Sequence, residues 1–129
     1  MAAIRPQASV VWFSAAADVV LVLLFVLIGR GSHDEGFTVQ GTLMTWWPFL
    51  VGLAFGWVLT VAWRRPLGIL LPGIVIWVAT VGIGMLLRLL SGQGIALAFV
   101  IVATITLAVF LLGWRAIAKL VTLRARQPG

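Results

Sequence analysis

Four apolar runs, at about residues 8–29, 43–63, 67–87 and 95–114, limit what this chain can become more than any other feature of it. At 1.5 Å of rise per residue, a helix made from any of them crosses roughly 30 Å of hydrocarbon. The connections between them are short: Arg64-Arg65-Pro66 separates the second run from the third, and Ser91-Gly92-Gln93-Gly94 the third from the fourth. Spans joined so tightly must be adjacent and antiparallel. The predicted fold is all-α, a polytopic membrane protein whose four transmembrane helices form one antiparallel bundle in a single domain covering residues 1–129.

Composition points the same way, because only 9% of residues are charged and 63% are hydrophobic, against roughly 25% charged in a soluble domain. Too few charges are present to clothe a water-soluble body. The net charge of +6 does not imply a nucleic-acid partner, since the basic residues flank apolar runs instead of alternating with polar recognition groups. The absence of cysteine excludes disulfides, thiolate nucleophiles and Cys-ligated metals. With one histidine, bis-histidine haem ligation within the chain is impossible; no phosphate loop, HExxH or Ser-His-Asp pattern is present, and neither a cofactor nor a metal is expected. A cleaved signal peptide is a poor reading of the first run, which contains Asp18 and has further spans behind it.

Lys and Arg set the orientation. Arg5, Arg64, Arg65, Arg115, Lys119, Arg124 and Arg126 fall on one side, and Arg30 and Arg88 on the other. The positive-inside rule then puts both termini in the cytoplasm of a multi-pass cell-membrane protein. Trp46 and Trp47 would sit at the outer interface, with Trp12, Trp63 and Trp114 at the inner one, where amphipathic rings are favoured. Pro72-Gly73 predicts a kink or a widened first turn in the third span. Residues 115–129 form a basic tail, with Arg115, Lys119, Thr122 and Arg126 at helical spacing; it is expected to lie along the lipid surface and attract anionic headgroups.

Asp18 is the single acid inside a span. Counted from the outer end of its run it lies about 16 Å deep, near the midplane, at the level of Trp57, Trp77, Thr80 and Thr104. A carboxylate there should face the bundle interior and be protonated or hydrogen-bonded, and indole N–H groups and threonine hydroxyls are the available donors. Two readings stay open. In one, Asp18 binds a proton or cation as a solute crosses, with Trp57, Trp77, Thr80 and Thr104 lining the site; in the other it is a polar clasp that fixes helix packing.

A second polar group gathers at the outer connections: Arg30, Ser32, His33, Asp34 and Glu35, with Arg88 and Gln93 from the next hairpin. It forms either an ion-paired seal or a small polar mouth. Gly52 and Gly56 in the second span, and Gly82 and Gly84 in the third, are expected to let backbones approach closely, either within the bundle or between subunits.

The strings ADVVLVLLFVLIGRGSHDEG, WPFLVGLAFGW, RPLG, GMLLR and GQGIALAFV, covering nearly the whole chain, resemble an uncharacterised family of small four-helix membrane proteins found in actinobacteria and halophilic archaea. Its motif residues fall here on Asp18, Gly29, Arg30, Ser32, His33, Trp46 to Pro48, Arg65, Pro66, Arg88 and Gly92 to Gly94. The resemblance implies the fold and the membrane location and carries no activity. The leading expectation is a small transport or permeation protein, proton-linked through Asp18. The alternative is an accessory or scaffold subunit of a larger membrane complex. Either way the chain is expected to self-associate or join a membrane partner. An enzyme is disfavoured, because His33 and Asp34 lack an identifiable nucleophile or metal.

Overall fold

The structure, a computed structural model, describes residues 7–32 and 38–126. Among these residues there are four long helices and no strand: α1 (Ala8–Ser32), α2 (Val39–Thr60), α3 (Val75–Leu90) and α4 (Leu97–Arg126). Four segments, Ala8–Gly31, Val39–Thr60, Ile69–Leu90 and Leu97–Ala125, are long and apolar enough to span a membrane. Helices suit that setting because each backbone N–H and C=O is bonded within its own segment. α1 packs on α2 and α4, and α3 packs on α2 and α4, so the four form a closed ring.

Each helix buries one narrow stripe. In α1 it is Ser14, Asp18, Val22, Phe25 and Val26, and in α4 it is Ala103, Leu107, Leu111 and Arg115, all at spacings of three or four residues. Large apolar side chains such as Trp12, Val20, Leu70, Ile105 and Ile117 cover the outer faces, as a lipid solvent allows and water would penalise.

α2 and α3 make the most extensive pairing, and glycine is the reason. A Cβ on Gly52 would stand 2.6 Å from the carbonyl oxygen of Ala79, and one on Gly56 would stand 2.9 Å from the Cα of Ile76. One on Gly84 would meet the Phe49 ring at 2.5 Å. Gly82 takes no part in this packing within the bundle: it is exposed, and a Cβ there would meet nothing within 4 Å. Two residues on a helix are about 200° apart, so Gly82 and Gly84 face nearly opposite ways.

The helix bounds depart from the apolar runs for local reasons. α2 starts early because the Thr38 side chain accepts a hydrogen bond from the Gly41 N–H at 3.0 Å. It stops early because Val61 adopts a left-handed conformation, with φ of 52°, and a tight 3-10 turn over Ala62–Arg64 follows. Pro72 lacks an N–H, so the Gly68 carbonyl is taken instead by Gly73 N, five residues on, at 2.9 Å. The result is the widened turn Ile69–Ile74 ahead of α3, in which Leu71 is extended and the Leu71–Pro72 peptide is cis. Past Trp114, α4 runs on as one helix to Arg126, the continuation that the helical spacing of Arg115, Lys119 and Thr122 allows.

Pro48 leaves a similar gap inside α2, since the carbonyl of Met44, four residues earlier, has no helical N–H to bond. Gln93 Nε2, from the α3–α4 connection, donates to that carbonyl at 3.1 Å. Gln93→Leu is therefore expected to destabilise the bundle by about 1 kcal/mol, read by thermal unfolding in nanodiscs. Adding Pro48→Ala, which restores the missing N–H, should remove most of that cost.

Candidate functional site

Asp18 lies on the buried stripe of α1 and is fully enclosed. Its partner is Arg115 of α4, equally enclosed, whose Nη1 and Nη2 donate to Oδ1 and Oδ2 at 2.8 and 2.7 Å. This is the end-on, two-bond geometry, one carboxylate oxygen to each Nη, that a planar guanidinium can make. Trp57 Nε1 from α2 adds a bond to Oδ2 at 2.7 Å, and Trp114 Nε1 from α4 adds one to Oδ1 at 2.8 Å.

The guanidinium is held as fully as the carboxylate. Arg115 Nε donates to the Pro66 carbonyl at 2.9 Å, and Nη1 also reaches the Leu111 carbonyl at 3.0 Å. Its stem passes close to Gly73, where a Cβ would be in ordinary contact with Arg115 Cδ at 3.4 Å but only 2.8 Å from the Gly68 carbonyl oxygen. The guanidinium carbon lies 4.8 Å from the centre of the Trp114 ring. One ion pair thus ties α1, α2, α4 and the connection leading to α3. With both oxygens doubly bonded, the carboxylate in this conformation acts as a junction.

The level of the junction is that of the α2–α3 connection, because Pro66 belongs to it. α1 continues to Ser32, so Asp18 stands about 21 Å from that helix end by rise, deeper than the run of apolar residues alone suggests. Trp57, one of the donors expected around Asp18, is there. Trp77, Thr80 and Thr104 are elsewhere engaged. Trp77 Nε1 donates to the Thr104 carbonyl at 2.9 Å, and the hydroxyls of Thr80 and Thr104 donate to the carbonyls of Ile76 and Val100, each at 2.7 Å. Arg115, read from sequence as the start of a surface tail, is instead the buried counter-charge.

At the opposite end of the bundle an open cleft of about 340 Å³ is lined by Phe25, Arg30, Thr45, Arg88, Gly94 and Phe99, among others. Arg30 Nη1 donates to Thr45 Oγ1 at 3.1 Å. Arg88 folds back on the α3–α4 connection, donating to the Gly94 carbonyl from Nε and Nη2 and to Gln93 Oε1 from Nη1, at 2.9–3.1 Å. Its guanidinium carbon lies 4.5 Å from the centre of the Phe99 ring. Phe25 and Phe99 line the cleft and pack with the buried Phe49, ring centres 5.4–6.3 Å apart. Of the expected outer cluster, Arg30, Arg88 and Gln93 are thereby brought to one place; His33, Asp34, Glu35 and the side chain of Ser32 lie outside the described residues. Among the described residues no group of acidic, histidine or cysteine side chains has the spacing of a metal site.

A family model described as "Protein of unknown function (DUF3054)" matches residues 3–118. No curated protein and no solved structure matches the chain.

Proposed function

We propose, for a chain that belongs to the DUF3054 family, that it is a small membrane carrier which takes up a small amphipathic solute in the cleft at the α3–α4 end. In this reading the Asp18–Arg115 junction is the closure at the other end, and the cleft is where the solute docks. The cleft carries the proposal. Its volume of about 340 Å³ lies within the usual range for small-molecule sites, roughly 300–1,000 Å³. Its phenylalanine lining suits an apolar body. Guanidinium groups donate and never accept, so the head of the solute must be a hydrogen-bond acceptor.

The count of basic residues supports an orientation with the cleft outside and the junction on the cytoplasmic side. Passage then requires the phenylalanine layer to part and the junction to open. Benzenesulfonate, which is always anionic and crosses lipid poorly, is the probe, with benzyltrimethylammonium as the control that has no acceptor. The wild-type protein should be stabilised by about 2.7 kcal/mol at a hundredfold excess of benzenesulfonate over its Kd. Proteoliposomes should exchange the probe, and Ala98→Trp, which fills the cleft, should abolish both effects. Binding without exchange would leave a receptor, and no binding together with a stoichiometric foreign partner in mild detergent would favour an accessory subunit.

A further inference from the structure

The α2–α3 turn carries a second hollow, of about 180 Å³, lined by Thr60, Val61, Arg64, Arg65, Leu71 and Pro72. Its shape comes from the backbone. Left-handed Val61 turns the chain sharply, and extended Leu71 holds α3 away from the turn. The turn itself is rigidly bonded: Arg64 N donates to Val61 O, Arg65 N to Ala62 O and Gly68 N to Arg65 O, all at 3.0–3.1 Å, over a fully buried Ala62. Two arginines are therefore mounted on a fixed frame.

Both arginine side chains are exposed, and neither is bonded to another group among the described residues. Among the described residues there is no counter-ion for them either: the one acidic side chain described, Asp18, is spent on Arg115. Beside the hollow, Trp63, Leu70 and Leu71 expose apolar surface, Leu70 to 76%. A paired cationic rim next to lipid-facing apolar side chains fits a phosphate attached to acyl chains.

We propose that this turn is a binding site for the phosphate of an anionic phospholipid, held by Arg64 and Arg65 with its chains along Leu70 and Leu71. Arginine matches phosphate oxygens through paired N–H donors, and basic hollows between spans are suited to such headgroups. The site is independent of the cleft and of any carrier role.

The test is native mass spectrometry of the full chain released from micelles doped with equal phosphatidylglycerol and phosphatidylcholine. The wild type should retain phosphatidylglycerol in preference by about thirtyfold, roughly fivefold for each arginine. Arg64→Gln/Arg65→Gln should lose that preference. Lys119→Gln/Arg124→Gln, which removes the same charge from α4, should keep it. Leu71→Trp fills the hollow at unchanged charge and should lose it too. The proposal is overturned if the wild type shows no preference, if both charge-loss variants lose it equally, or if Leu71→Trp retains it. It is overturned as well if millimolar inorganic phosphate displaces the lipid, which would make free phosphate the ligand.

Discussion

Asp18→Ala is expected to cost about 3–5 kcal/mol of unfolding free energy, because it leaves the Arg115 guanidinium buried and uncompensated. Two indole N–H groups, of Trp57 and Trp114, lose their acceptor at the same time. Arg115→Ala should cost a similar amount from the other side, by stranding the carboxylate. Replacing the pair as a whole is a different matter. Asp18→Leu/Arg115→Met exchanges two desolvated charges for apolar volume, and such exchanges are often neutral or stabilising by 1–4 kcal/mol in soluble proteins. The strong single losses with near recovery in the double variant would mark the pair as a device for specifying which helices meet, with little net gain in stability. Denaturant titration in nanodiscs reads all three variants, and a loss below about 1 kcal/mol for Asp18→Ala would contradict the enclosed geometry.

The second large effect is a change of sign within one substitution. Gly52→Ala should destabilise by about 2–3 kcal/mol, the upper part of the range for overpacking, because its new methyl meets the backbone of Ala79 and Thr80 and not a side chain that can turn away. Gly84→Ala should cost less, since its neighbour is the Phe49 ring. Gly82→Ala meets open space and should stabilise by about 0.5–1 kcal/mol, the usual helical preference for alanine over glycine. Thermal unfolding of the three variants side by side checks the order, and a stabilising Gly52→Ala would mean that α2 and α3 are further apart than described.

The spans were legible in the sequence because length and hydropathy fix them without reference to partners. Asp18 was legible for the same reason: a carboxylate in a long apolar run stands out. Arg115 was hidden by a length argument, since the residues from Ile95 to Trp114 already suffice to cross a bilayer and an arginine after them looks like an anchor. A signal for it did exist. Ala103, Leu107 and Leu111 recur every four residues, and the next step of that stripe is Arg115, whereas Lys119 and Arg124 are exposed. The bonds of Trp77, Thr80 and Thr104 could not be read from depth alone. Depth says which residues share a level, and helix rotation, set by packing, says which of them meet. Gly82 lies on the outer face by the same logic, because its sequence neighbourhood with Gly84 does not give it the same face.

The span of 97 residues between Asp18 and Arg115 sets an order of events during synthesis. At about 5–20 residues per second, the first helix carries its carboxylate into lipid roughly 5–20 s before its counter-charge exists. Trp57 arrives in the interval as a partial partner. Completion of the bundle therefore waits on the last helix, and a chain interrupted before α4 leaves Asp18 with Trp57 but without Trp114 and Arg115.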